Sequence, residues 1–278
     1  VTRVVTETVV QEGETVEVTR VVTEVEEVAV EVTAVPEEAE AVMMGPDDPG
    51  TYVTQTFGRI LTLDPNIAYD TSSSAIIDNV METLIWYNHK DGTSYVPVLA
   101  TEVPSVENGL ISEDGLTYTF NIRDGVTFHN GNDLTASDAA YTFQRGLLQS
   151  DPNGPQWLMI EPVMGYGSGD ITEEIADGEY AGDPEGLLAN ASAEELVALC
   201  EKVQAAIVAD DDAGTLTFTL AQPWGPFLAT MAGTWGNVMD KEWAMENGAW
   251  DGSCDTWQNF YAPGDLNELQ AVINGTGP

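Results

Sequence analysis

The chain has 278 residues, with 47 Asp and Glu against 8 Lys and Arg, for a formal charge of −39. So negative a surface repels nucleic-acid phosphate and anionic lipid headgroups, which removes both from the expected partners. No stretch approaches the roughly 20 apolar residues of a membrane-spanning helix.

The length suits one large domain or two ordinary ones. The charge fits plain solubility and adaptation to high salt equally well. The chain starts at Val1, with no basic segment leading into an apolar one, so a processed or trimmed start is expected.

Residues 1–42 differ from everything after them. VTRVVTE occurs at 1–7 and again at 18–24, and the segment is almost entirely Val, Thr, Glu and Ala. It holds no aromatic residue with which to build a core, and the expectation is an acidic low-complexity tether over residues 1–50, in preference to a docked β-ribbon. Gly45-Pro46-Asp47-Asp48-Pro49-Gly50 marks its end.

Residues 51–66 read as an opening strand and a loop. Asp70-Thr71-Ser72-Ser73 then offers capping groups for a helix carrying Ile76, Ile77, Val80, Leu84 and Ile85 on one side. From Leu116 to Arg123 apolar and polar residues alternate strictly, the period of a half-buried strand. Asp124-Gly125 is a turn dipeptide, Val126 and Phe128 suggest a second short strand, and Asn130-Gly131 closes it. Thr135 with Asp138 forms a capping box for a helix bearing Ala139, Ala140, Phe143 and Leu147, which Asp151-Pro152 stops. Residues 150–192, rich in Gly, Asp and Pro, read as a long, partly irregular excursion.

Ser192 and Glu195 make a second capping box, before a helix with Leu196, Leu199, Cys200, Val203 and Ile207 in one stripe. Asp210-Asp211-Asp212 lacks the spaced ligands and closing Glu of a calcium loop and reads as a solvated turn. Leu216, Phe218 and Leu220 alternate as a further strand. Pro226 and Phe227 open a helical run through Met231, and residues 248–258 read as irregular. His89 and His129 lie in loops without metal-ligand spacing. No nucleophile elbow, P-loop or dinucleotide glycine pattern occurs, so neither metal nor cofactor is expected. By spacing alone, Cys200 and Cys254 fit one disulfide or two buried thiols.

The ordered run of DGLTYTF, RDGV, FHNG and TASDAAYTFQR across residues 114–145 resembles the family 5 solute-binding proteins, the dipeptide, oligopeptide and nickel receptors of ABC importers. The likeness continues in the LDP turn at 63–65 and in the segment ending METLIWYN. It extends through TLTFTLAQPWGPFLATMAG, the Lys241 helix start and the closing Gly275-Thr276-Gly277-Pro278. It covers about residues 51–278, which corresponds to the first half of the family's length, so a fragment or truncated product is expected.

The resemblance implies a mixed α/β, periplasmic-binding-protein-like type II fold. Residues 51–83 would start the first lobe, 84–273 would form its inserted subdomain, and 274–278 would begin re-entry. It implies an extracytoplasmic monomer, lipid-anchored through a residue upstream, that hands a solute to a membrane permease. The solute is peptide first, with oligosaccharide and nickel chelate as alternatives. Tyr69, Asp70, Thr71 and Trp235 are the expected ligand contacts. An envelope location favours oxidation, so a Cys200–Cys254 disulfide is expected. Two other classes compete: an extracellular hydrolase, which a carboxylate pair of raised pKa in a deep pocket would favour, and a surface structural protein that keeps the receptor fold.

Overall fold

A computed structural model describes residues 2–11, 14–23, 50, 58–151 and 153–261. The chain divides into two units, Val1–Gln55 and Thr56–Pro278.

In the first unit, β1 (Thr2–Gln11) and β2 (Glu14–Thr23) pair antiparallel without interruption, from Thr2↔Thr23 to Gln11↔Glu14. The segment read as a tether thus carries a local antiparallel ladder. The β-branched repeat that cannot build a core can still form a ladder, because ladder bonds need only backbone and β-branched residues suit the extended conformation.

The second unit holds helices α1 (Thr71–Val80), α2 (Ala136–Gln149), α3 (Trp157–Met164), α4 (Pro184–Asn190), α5 (Ala193–Ala206), α6 (Phe227–Met231) and α7 (Lys241–Glu246). Its strands are β3 (Ile85–Tyr87), β4 (Tyr95–Pro97), β5 (Thr117–Asn121), β6 (Ile207–Asp210) and β7 (Thr215–Thr219). These make a mixed α/β fold. β3 and β4 form a hairpin, and β5, β7 and β6 form an antiparallel sheet with β7 in the centre.

The alternation read around Leu116 does place Tyr118 and Phe120 in the core, opposite Phe218 and Leu216 of β7. α2 and α5 pack on this sheet. Phe218 meets Phe120, Phe143 and Phe227 in edge-to-face contacts at centroid distances of 5.9, 5.2 and 5.3 Å. Both capping boxes form, Thr135 with Asp138 on α2 and Ser192 with Glu195 on α5.

Several expectations are corrected. The partner of β5 is β7, almost a hundred residues later, and the second strand expected at Val126 and Phe128 reduces to a single bridge, Thr127↔Asp133. Two apolar residues offer too short a ladder to compete with a full-length strand. α1 ends at Val80, so Leu84 lies beyond it and Ile85 opens β3. Both are fully buried and therefore read as part of one stripe. The excursion 150–192 contains α3 and α4, and β6 directly follows α5 where only a turn was expected. The opening strand falls partly on 51–57, outside the described residues, and 58–66 form no strand. The closing motif at 275–278 also lies outside them.

The cysteines form a disulfide, with a Cα–Cα distance of 5.3 Å. It pins the segment after α7 to α5. Two tryptophans of that segment anchor it further: Trp250 stacks on Tyr141 at 5.8 Å, and the Trp257 indole donates to Leu196 O at 2.7 Å. Both rings are buried, so the irregular segment belongs to the core.

Candidate functional site

Tyr69, Asp70, Thr71 and Trp235 come together although Trp235 lies more than 160 residues further along the chain. They line one hollow of about 430 Å³ with Ser74, Ala75 and Asp78. The Tyr69 and Trp235 rings meet edge-to-face, with centroids 5.9 Å apart at 73°. Such a pair leaves one ring edge and one ring face available to a ligand.

Each member has a local cause. Asp70 caps α1: its Oδ1 accepts Ser72 N at 3.0 Å and Ser73 N at 2.9 Å. Burial pushes its carboxyl up, but the hydrogen bonds from Ser73 and Ser72 outweigh this and hold it below the ordinary carboxylate range. Ser73 Oγ in turn accepts Leu61 N at 3.0 Å, tying the preceding loop to the helix. Thr71, Ser74, Ala75 and Asp78 are spaced i, i+3, i+4 and i+7, so they share one helix face. Ser73 and Ile77 occupy the buried side.

Trp235 sits in a short 3-10 turn, Thr234–Gly236, framed by two glycines. Neither glycine leaves open space around the ring. A Cβ on Gly233 would come within 2.5 Å of the Trp235 ring, and one on Gly236 within 2.3 Å of Met231 O. The glycines are therefore needed for close packing. Gly233→Ala is expected to swing the indole off Tyr69 and cost about 1–3 kcal/mol by overpacking. Near-UV circular dichroism and urea melts check this, and an unchanged aromatic spectrum would contradict it.

The hollow continues in two directions. Asp78 also lines a second hollow of about 440 Å³ with Glu82, Trp86, His89 and Asn237. Tyr69 and Asp70 also line a third, of about 360 Å³, with Arg59, Ile60, Leu61 and Asn153. Ile60, Leu61 and Tyr69 are large apolar residues about half exposed there. Desolvation raises the Asp78 carboxyl above its ordinary pKa, opposed by hydrogen bonds from Thr234 and Asn237. The Trp235 Nε1 and Asp70 Oδ2 atoms are buried and find no hydrogen-bond partner among the described residues.

Sequence reading missed Asp78 and Trp86 as lining residues, while His89, read as a loop residue, lies exposed in a turn. The small and polar i, i+3, i+4, i+7 stripe on α1 is the signal that could have found Asp78.

The loop that delivers Tyr69 and Asp70 is fixed from below. Arg145, at the end of α2, donates to Asp64 Oδ2 at 2.5 Å, Asp64 Oδ1 at 3.0 Å and Asn66 Oδ1 at 2.7 Å, all buried. Burial works against the guanidinium charge, but the Asp64 carboxylate prevails and keeps the Arg145 pKa above its ordinary value. Two stretches that carry the family resemblance, LDPN and TASDAAYTFQR, thus meet in one ion pair.

A second acidic group, Asp138, Asp240 and Glu242, has ligand atoms within 4.8 Å of one another. Its geometry is that of helix caps. Asp138 accepts Thr135 N and Lys241 N, while Asp240 accepts Trp243 N and the amides of Asn130 and Asn132. Asn130 of the FHNG stretch and Asn132 just after it therefore serve to hold α7. Likewise Asp211 of the acidic trio accepts Ser137 N at 2.8 Å, and Asp210 accepts Ala213 N at 2.9 Å.

The profile described as bacterial extracellular solute-binding proteins, family 5 Middle, matches residues 94–278. The chain belongs to this family. Di/tripeptide-binding protein 2 of Pseudomonas aeruginosa is 27% identical over 192 residues, which is 66% of this chain and 28% of that protein. Heme-binding protein A of Haemophilus influenzae is 36% identical over 112 residues, 38% of this chain and 19% of that protein. Among solved structures, the peptide-binding pheromone receptor PrgZ shares 26% identity, with a TM-score of 0.48, over 67% of this chain and 30% of its own. The chain thus spans less than a third of the length of these relatives. These relatives are named as binding proteins and receptors, and the family is extracellular by description. Among the described residues, no helix is long and apolar enough to cross a membrane.

Proposed function

We propose that the protein is the solute-binding receptor of an ABC importer, with peptides as its solute. The family match over residues 94–278 carries this reading, and the names of its relatives, di/tripeptide-binding protein among them, support peptide. In this reading residues 51–83 start the first lobe, 84–273 form its inserted subdomain and 274–278 begin the return to it. The chain is held at the cell envelope by a lipid anchor upstream. Capture works by lobe closure about a hinge, and the closed form docks on the permease. A ligand that touches both lobes only when they are closed shifts the population toward that form.

Tyr69, Asp70, Thr71 and Trp235 supply this lobe's share of the contacts. A half-exposed Tyr beside a Trp offers apolar area at small entropic cost, while Asp70 and Asp78 supply acceptors for peptide N–H or ammonium groups. Calorimetry on the full-length receptor with di- and tripeptides, an oligosaccharide, a nickel chelate and haem tests the solute class. Saturable binding of peptides alone is expected, and binding of one of the others in their place would overturn the peptide assignment. Trp235→Ala is expected to weaken peptide binding 10- to 100-fold, about 1.5–3 kcal/mol for loss of an aromatic anchor. Unchanged affinity would remove Trp235 from the site.

A further inference from the structure

The β1–β2 hairpin has a property that its repeat creates. In the observed register Thr2 meets Thr23, Val4 meets Val21 and Thr6 meets Thr19. Position k of one VTRVVTE copy therefore faces position 8 − k of the other: the heptad pairs antiparallel with itself. This rule keeps odd positions opposite odd and even opposite even. Backbone amides of a strand point to alternate sides, so residues whose amides point outward on one copy would meet residues that do the same on another.

Among the described residues, no strand pairs with the outer edge of β1. β1 runs for 10 residues without Pro, Lys, Gly or bulge, the devices that normally blunt an edge. Among the described residues its sheet has two strands, a number that is marginally stable alone in water. Charge separates the two edges. In a chain of −39, β1 carries one Arg and one Glu and is neutral, whereas β2 carries Glu14, Glu17 and Arg20. An antiparallel partner in the same register would set one neutral strand against another.

We propose that the hairpin is a self-association element: β1 of one chain pairs with β1 of a second copy about a two-fold axis at Val4, giving a four-stranded sheet. This replaces the monomer expected from the sequence and is independent of the solute that the protein binds.

Sedimentation velocity of the full chain over a range of concentrations is expected to show reversible dimers. Val4→Cys is then expected to give a symmetric crosslinked dimer under mild oxidation, because facing Cα atoms in antiparallel pairs lie at disulfide distance. Val10→Cys, which in this register lies about 12 residues along the strand from its own copy, and Val21→Cys, on β2, are expected to stay uncrosslinked. A monomer at all concentrations overturns the proposal. So does a dimer that crosslinks through Val21→Cys, through all three variants or through none, since the contact would then lie elsewhere.

Discussion

Arg145→Ala is expected to destabilise the second unit by about 3–5 kcal/mol, the usual cost of removing one partner of a buried ion pair. Arg145 is 2% exposed and Asp64 fully buried, with two guanidinium nitrogens on the two carboxylate oxygens. Removing the guanidinium leaves the Asp64 carboxylate and Asn66 Oδ1 in a site that water does not reach. At this size the loss corresponds to a fall in Tm of roughly 6–20 °C. Arg145→Lys should recover part of it, since an ammonium cannot match the bidentate geometry. The double variant Arg145→Met, Asp64→Leu should recover only part of the loss, because it removes the unpaired charge but takes the buried partners from Asn66 Oδ1 and Asn66 N. Urea melts of the parent, Arg145→Met, Asp64→Leu and the double variant give the coupling energy. A single-variant cost below about 1 kcal/mol would mean that the pair does not anchor the loop. Because the Asp64–Asn66 loop leads straight to Tyr69, Arg145→Ala should also loosen the Tyr69–Trp235 contact and weaken binding beyond what the stability loss explains.

Loss of the Cys200–Cys254 disulfide is expected to cost about 4 kcal/mol, from the chain-entropy account applied to a loop of 54 residues. Within that loop lie β6, β7, α6 and α7, so reduction frees the central strand of the sheet in the unfolded chain. Melts of the Cys200→Ser, Cys254→Ser double variant, and of the parent with and without reductant, measure the effect. The segment has other anchors in Trp250 and Trp257, so the reduced protein should remain folded with a lower midpoint. Identical midpoints with the bond intact and broken would show that these tryptophans alone hold the segment. Loss of the aromatic spectrum on reduction would show that they cannot.

The sequence by itself determined the elements whose causes are local. The Thr135 and Ser192 capping boxes act over three residues, and the alternation of Leu116–Arg123 acts over eight, so both are visible in one dimension. Family membership was legible for the same reason, since the motifs that carry it are contiguous. The candidate contacts at Tyr69, Asp70, Thr71 and Trp235 were named from the resemblance, and nothing in their spacing brings them into one hollow.

Only the tertiary structure decided what depends on distant partners. β5 passes over its neighbour at Val126 for β7, because burial of Tyr118 and Phe120 against Leu216 and Phe218 outweighs the short loop closure that a local hairpin would offer. Arg145 meets Asp64 across 81 positions, and Trp235 reaches Tyr69 because Gly233 and Gly236 admit its ring and turn. Hydrophobic burial is non-directional, so a sequence shows which residues must leave water and leaves their choice of partner to the packed core.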